Sequence, residues 1–198
     1  SSNGSVKNVT VDGSVVGKDA VGAVVGYQNF CKGIQNCINK ATVTGQNQVG
    51  GIVGNQYVYN QYIENCVNKG EVKGNTSVGG ICGYMSQGCA KNCSNEANVT
   101  AEVQAGGAVG TIQGSSDVLN VKNSGDVTSN SDYAGGITGK DTNSYVTIIN
   151  SYNTGNVKGA NYVGGISGQT NSSKLANNYN TGDVTGTGNY IGGIVGLN

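Results

Sequence analysis

Apolar residues along this chain recur singly or in short clusters, set between Thr, Lys, Asn, Gln and Gly. In Thr42-Val43-Thr44 and Glu71-Val72-Lys73 the order is polar, apolar, polar. A period of two puts the middle side chain on one face and its neighbours on the other, so these stretches read as strands with one buried face. No stretch sustains the spacing of an amphipathic helix.

The strand signals repeat. The phrases VGAVVG, VGGIVG, VGGICG, AGGAVG, AGGITG, VGGISG and IGGIVG end at Gly26, Gly54, Gly83, Gly110, Gly139, Gly168 and Gly196, 27 to 29 residues apart. A second phrase precedes each one, as in NCVNKGEVKG and NNYNTGDVTG. Residues 1–198 therefore read as one repeat-array domain of seven coils, the first shortened. Alignment of the copies produces columns. Val15, Val43, Val72, Val99, Val127, Val157 and Val184 form one without exception. Val6, Ile34, Ile63, Ala90, Val118, Ile148 and Leu175 form a second. Two more run from Val21 and Val49 to Ile191, and from Val24 and Ile52 to Ile194. One copy cannot bury its own apolar residues, but copies stacked about 4.8 Å apart turn columns into continuous ribs. The expected fold is all-β: a single-stranded parallel β-helix, or β-solenoid, of about seven coils. Each coil would hold about three short strands, and the rod would be roughly 34 Å long.

Composition supports strands and tight turns. Gly is abundant at 35 residues, Pro and Trp are absent, and there is no collagen period. The Gly pair, as at Gly50-Gly51, is expected to bend or bulge the strand so that the third and fourth columns both face inward. A phosphate-binding loop is disfavoured, because the pair recurs in every copy without a following GK[ST] or helix. Asn8, Asn36, Asn65, Asn92, Asn120, Asn150 and Asn177 fill one column, and Asn39, Asn68, Asn95, Asn123, Asn153 and Asn180 fill another, with Val11 as its exception. Asn tolerates the left-handed backbone of tight bends, and stacked amides can bond in a ladder. The Asn and Val columns are thus expected to be structural rather than a row of metal or sugar contacts.

The 11 basic residues are all Lys and balance 11 acidic ones. Zero net charge without Arg argues against nucleic acid, and no apolar run approaches the roughly 20 residues of a membrane span. With no His, a Ser-His-Asp triad, a Cys-His pair and a His-ligated metal are excluded within this chain. The acidic residues scatter over different columns, which disfavours paired-carboxylate catalysis and calcium. The expectation is no catalytic residue, no metal and no cofactor. Cys37, Cys66 and Cys93 share one column, while Cys31, Cys82 and Cys89 do not. Packed thiols are preferred there over disulfides, which parallel side chains make awkward; six Cys permit 15 pairings. Tyr133, Tyr162 and Tyr190 align in the last three coils, as do Tyr152 and Tyr179 in another column. Two readings stand: outward rings that bind sugar or a partner protein, or rings that stack on each other along the flank.

N-x-Y-N-T-G-x-V-x-G and Y-V-G-G-I-x-G, best matched by 150–168 and 177–196, resemble the bacterial GLUG-motif repeat. The likeness covers almost the whole chain, though Ala23, Ala97, Asn98 and Ala101 depart from it. It implies large secreted or surface-attached bacterial proteins, including adhesins and immunoglobulin A-cleaving metallopeptidases whose zinc site lies outside the repeats. The resulting expectation is a non-catalytic, extracellular structural or adhesive module that spaces other domains of the same protein. The alternative is a module that binds a host glycan or matrix protein through its Tyr rows. The chain opens on SSNGSVKN without a signal peptide and closes on a complete repeat, so it reads as a piece of a larger protein.

Overall fold

The computed structural model describes residues 4–198 except 30, 31, 143 and 144; for residues 58–60 only the backbone is described. Among the described residues all helical or strand structure is strand, arranged in three parallel sheets of 12, 7 and 12 strands. Each coil pairs with the coils before and after it, so the chain is a β-solenoid of about seven turns with a spacing of about 28 residues. The register reproduces the columns. Val15 pairs with Val43, Val43 with Val72, Val72 with Val99, Val99 with Val127, Val127 with Val157 and Val157 with Val184. The column from Val6 to Leu175 is likewise in register.

The strand count per coil differs from expectation. The coil spanning 117–141 holds five stretches: Asp117–Leu119, Lys122–Asn123, Val127–Ser129, Ala134–Gly135 and Thr138–Asp141. A coil still contributes to three sheets, but a turn splits its contribution to each of the two wide ones. The turns follow from backbone geometry. Asn8, Asn36, Asn65, Asn92, Asn120, Asn150 and Asn177 all have φ between 53 and 57°. These are left-handed corners, where the short Asn side chain is tolerated.

The apolar columns do not share one core. Val43, Val49, Val72, Val78 and Val99 belong to one buried cluster, whereas Ile34, Ile52, Ile63, Ile81 and the column cysteines belong to another. The Gly pair causes the division. The chain bends there, so both Val49 and Ile52 point inward but into different clusters. A Cβ on Gly51 would lie 2.2 Å from the Gly80 carbonyl oxygen and 2.4 Å from Cγ of Asn68, so only glycine allows this approach.

Between the clusters runs the second Asn column, fully buried from Asn39 to Asn153. Asn39 Nδ2 donates to Asn68 Oδ1 at 2.7 Å, and the same bond continues through Asn95, Asn123 and Asn153 to Asn180. Each Nδ2 also donates to the carbonyl two residues on, as in Asn95 to Ala97 at 2.7 Å. Both amide hydrogens are thereby used, which removes the cost of burying them.

Stacking is what buries the ribs. Val163 and Ile166 are 0% exposed, while Ile191 and Ile194, one coil further and at the end of the stack, are 39% and 40% exposed. Full burial of such a side chain stabilises by about 2 kcal/mol, so each coil is held chiefly by its neighbours.

Candidate functional site

Tyr133, Tyr162 and Tyr190 sit at a second set of corners. Their φ values are 65, 56 and 62°, and Ala20, Gln48, Ser77 and Gln104 are left-handed at the same position in earlier coils. The conformation therefore belongs to the coil path and not to the tyrosines. A left-handed corner aims the side chain away from the core. The rings then meet each other, Tyr133 and Tyr162 with centroids 4.7 Å apart and Tyr162 and Tyr190 4.9 Å apart, nearly parallel. The far face of Tyr133 is also covered, because Lys140 Nζ lies 4.1 Å from its centroid and cannot fit between the stacked rings. Edges and hydroxyls face solvent, together with the outer face of Tyr190, which is 52% exposed. Tyr152 and Tyr179 form a shorter stack at 4.8 Å and 2° on the seven-stranded sheet. The structure thus brings each Tyr group together but keeps the two groups apart, Tyr152 and Tyr179 in strands of the seven-stranded sheet and the other three at corners outside the strands.

The acidic residues act as rungs. Asp126 donates its N–H to Asn98 Oδ1 at 3.0 Å and accepts the Asn156 N–H on its own carboxylate at 2.8 Å. The Asp183 N–H continues the chain to Asn156 Oδ1 at 3.1 Å. At the next corner Asp132 accepts from the N–H and Nδ2 of Asn161, at 3.3 and 2.9 Å. The sequence pattern hid this role because Thr, Glu, Asn and Asp alternate in the column. Lys69–Glu96, Lys73–Glu71 and Lys91–Glu64 pair at 2.9 to 3.7 Å on the surface, where such pairs contribute little. Among the described residues no group of three or more His, Cys, Asp or Glu is placed to hold a metal.

The five described cysteines are free; Cys31 lies outside the described residues. Cys37, Cys66 and Cys93 are buried in successive coils, each thiol 3.2 to 3.3 Å from the carbonyl oxygen two residues before it. Burial pushes the thiols of Cys37 and Cys93 up, and takes Cys82 to about 12 and Cys89 to about 11. Cys66 runs the other way, held down chiefly by its hydrogen bond with the Cys93 thiol. The raised thiols stay neutral near pH 7, and neutral thiols are poor nucleophiles. Val121 occupies the same column at 0% exposure. Replacing Cys37, Cys66 and Cys93 together with Val is expected to move the melting temperature by no more than a few degrees. A large loss, matched by treating the parent protein with reductant, would instead reveal a disulfide in that column.

Comparison of this chain with protein-family models, with curated proteins and with solved structures returned no match.

Proposed function

We propose that this chain is a non-catalytic spacer, a stiff rod that holds other parts of a bacterial surface or secreted protein apart. The observation that supports the reading most is the unbroken internal amide ladder from Asn39 to Asn180, with an apolar rib on each side. Such a core resists bending, since any tilt between coils must break buried bonds. The bacterial and extracellular setting rests on the resemblance of the two repeat phrases to GLUG-motif proteins.

The spacer reading assigns the Tyr133 row to the wall of the rod. Ring faces that cover one another are withdrawn from sugar stacking. Changing Tyr133, Tyr162 and Tyr190 to Ser is expected to cost about 1–3 kcal/mol, from two lost ring pairs. Retention on glycans, mucin and matrix proteins should stay at the parent's level. A folded triple variant that loses retention would replace the spacer reading with an adhesive one centred on this row. Circular dichroism and urea melts supply the folding control.

A further inference from the structure

Away from the Tyr rows, two hollows adjoin on the flank of the third to fifth coils. One, of about 400 Å³, is lined by Gln61, Tyr62, Gln87, Cys89, Ser115 and Asp117; the other, of about 270 Å³, shares Tyr62 and Cys89 with it. The larger lies within the range of small-molecule sites, roughly 300–1,000 Å³. Tyr62, Cys89 and Asp117 stand on successive rungs, and Gln61 pairs beside them with Gly88, which also lines the larger hollow. Gln61 is only 4% exposed, and its Oε1 has no hydrogen-bond partner. Its nitrogen makes no hydrogen bond among the described residues either. Other buried amides are bonded: Gln28 and Gln56 to each other, Asn55 to Gln48, and the inner Asn column coil to coil. The next rung explains the exception. Gly88 has no side chain to answer the amide, and none fits there, since a Cβ would lie 2.1 Å from Oε1 of Gln56. A buried amide without a partner in its own chain points to a group from outside.

The charged groups that line the two hollows are engaged, except one. Lys91 pairs with Glu64 at 3.7 Å, and Glu64 also accepts from Gln35 Nε2 at 2.9 Å. Burial first, and then the Asp117 carboxylate, push the Cys89 thiol up to about 11, so it stays neutral. Asp117 itself is exposed, with no ion pair and no side-chain hydrogen bond among the described residues. It stands two rungs from Gln61, about 10 Å along the rod. The larger hollow therefore joins a buried amide, unpaired at both ends, to an exposed and unpaired carboxylate.

The geometry points to an amino sugar with a free primary amine, a glucosamine-type residue, as the ligand of this hollow. A sugar hydroxyl both donates and accepts, so neighbouring hydroxyls satisfy Oε1 and Nε2 of Gln61 together. The ammonium belongs at Asp117, where the charge keeps contact with water and gains a charge-assisted hydrogen bond. A linear diamine fits worse, because it brings a second charge to the buried Gln61, where desolvation is costly. An acidic sugar fits worse too, since its carboxylate meets the like charge of Asp117.

The full chain is titrated by calorimetry, at a mildly acidic pH that keeps the amine protonated, with chitosan oligosaccharide, its N-acetylated chitin counterpart and ethanolamine. Chitosan oligosaccharide should bind, and added salt should weaken it. The chitin oligosaccharide, with the same rings but no charge, should bind about tenfold more weakly. Ethanolamine, with the charge but no ring, should give no measurable heat. Asp117→Asn should weaken chitosan binding about tenfold and bring it to the level of chitin. Gln61→Met should also weaken it about tenfold and yet raise the melting temperature, because an unpaired buried amide gives way to an apolar chain of similar length. Asp183→Asn, the same change of charge two coils further on, should leave binding unchanged. Absence of chitosan binding overturns the assignment, as does equal affinity for the chitin oligosaccharide or for ethanolamine. Full affinity in Asp117→Asn or Gln61→Met with a native circular dichroism spectrum does the same. If Gln61→Met does not fold, Asp117→Asn, an exposed change, decides the outcome alone.

Discussion

Val99→Asp is expected to cost about 3–5 kcal/mol and to disrupt the stack at its middle. Val99 is 0% exposed and lies in register between Val72 and Val127. Every buried residue of its cluster is Val or Ala, so a carboxylate there meets neither a donor side chain nor a cation. Burial disfavours the charged form, so the folded-state pKa of the new Asp rises above its unfolded value near 3.9. The sign follows from proton binding. Above about pH 4 the unfolded chain gains by ionising and the folded chain does not, so the deficit is largest near neutrality and shrinks on acidification. Thr100→Asp is the control: Thr100 is half-buried, faces away from the core, and pairs in register with Lys73. Its cost should stay near 0.5 kcal/mol. Equal losses in urea melts of the two variants would mean that the inside and outside of this strand are exchanged.

Asn95→Leu should be nearly as damaging. Asn95 is 0% exposed, accepts from Asn68 Nδ2 at 2.7 Å, and donates to Asn123 Oδ1 and the Ala97 carbonyl, each at 2.7 Å. Leucine leaves one donor and two acceptors without those partners, at about 1–3 kcal/mol for each buried group, so a total near 4 kcal/mol is expected. Asn95 also packs against glycine: a Cβ on Gly80 would lie 2.3 Å from its Cγ, so a branched side chain has no room to relax toward that strand. Asn180→Leu, in the last coil and only half-buried, should cost about 1 kcal/mol because water replaces what is lost. The contrast separates a fully buried member of the ladder from its half-buried end member. Similar losses at Asn95 and Asn180 in equilibrium unfolding would show that the buried ladder contributes nothing special.

The sequence by itself determined the period, the register and the identity of the ribs. A stacked coil places equivalent residues directly over each other, so a column that never changes, such as Val43, Val72 and Val99, can be read without coordinates. It did not separate the two Asn columns. Asn36 and Asn39 lie three residues apart in the same phrase and look alike, yet one is an exposed left-handed corner and the other a buried strand residue. Backbone dihedral and path make that difference, and composition carries neither. The same holds for the core. Val49 and Ile52 both read as inward, but the bend at Gly50-Gly51 sends them into separate clusters. The Tyr rows were legible as rows, since Tyr133, Tyr162 and Tyr190 recur at the repeat spacing. Which ring faces remain open depended on Lys140, seven residues from Tyr133 in the chain and folded back over its ring. Contacts between different columns are set by the shape of the coil, and only the tertiary structure decides them.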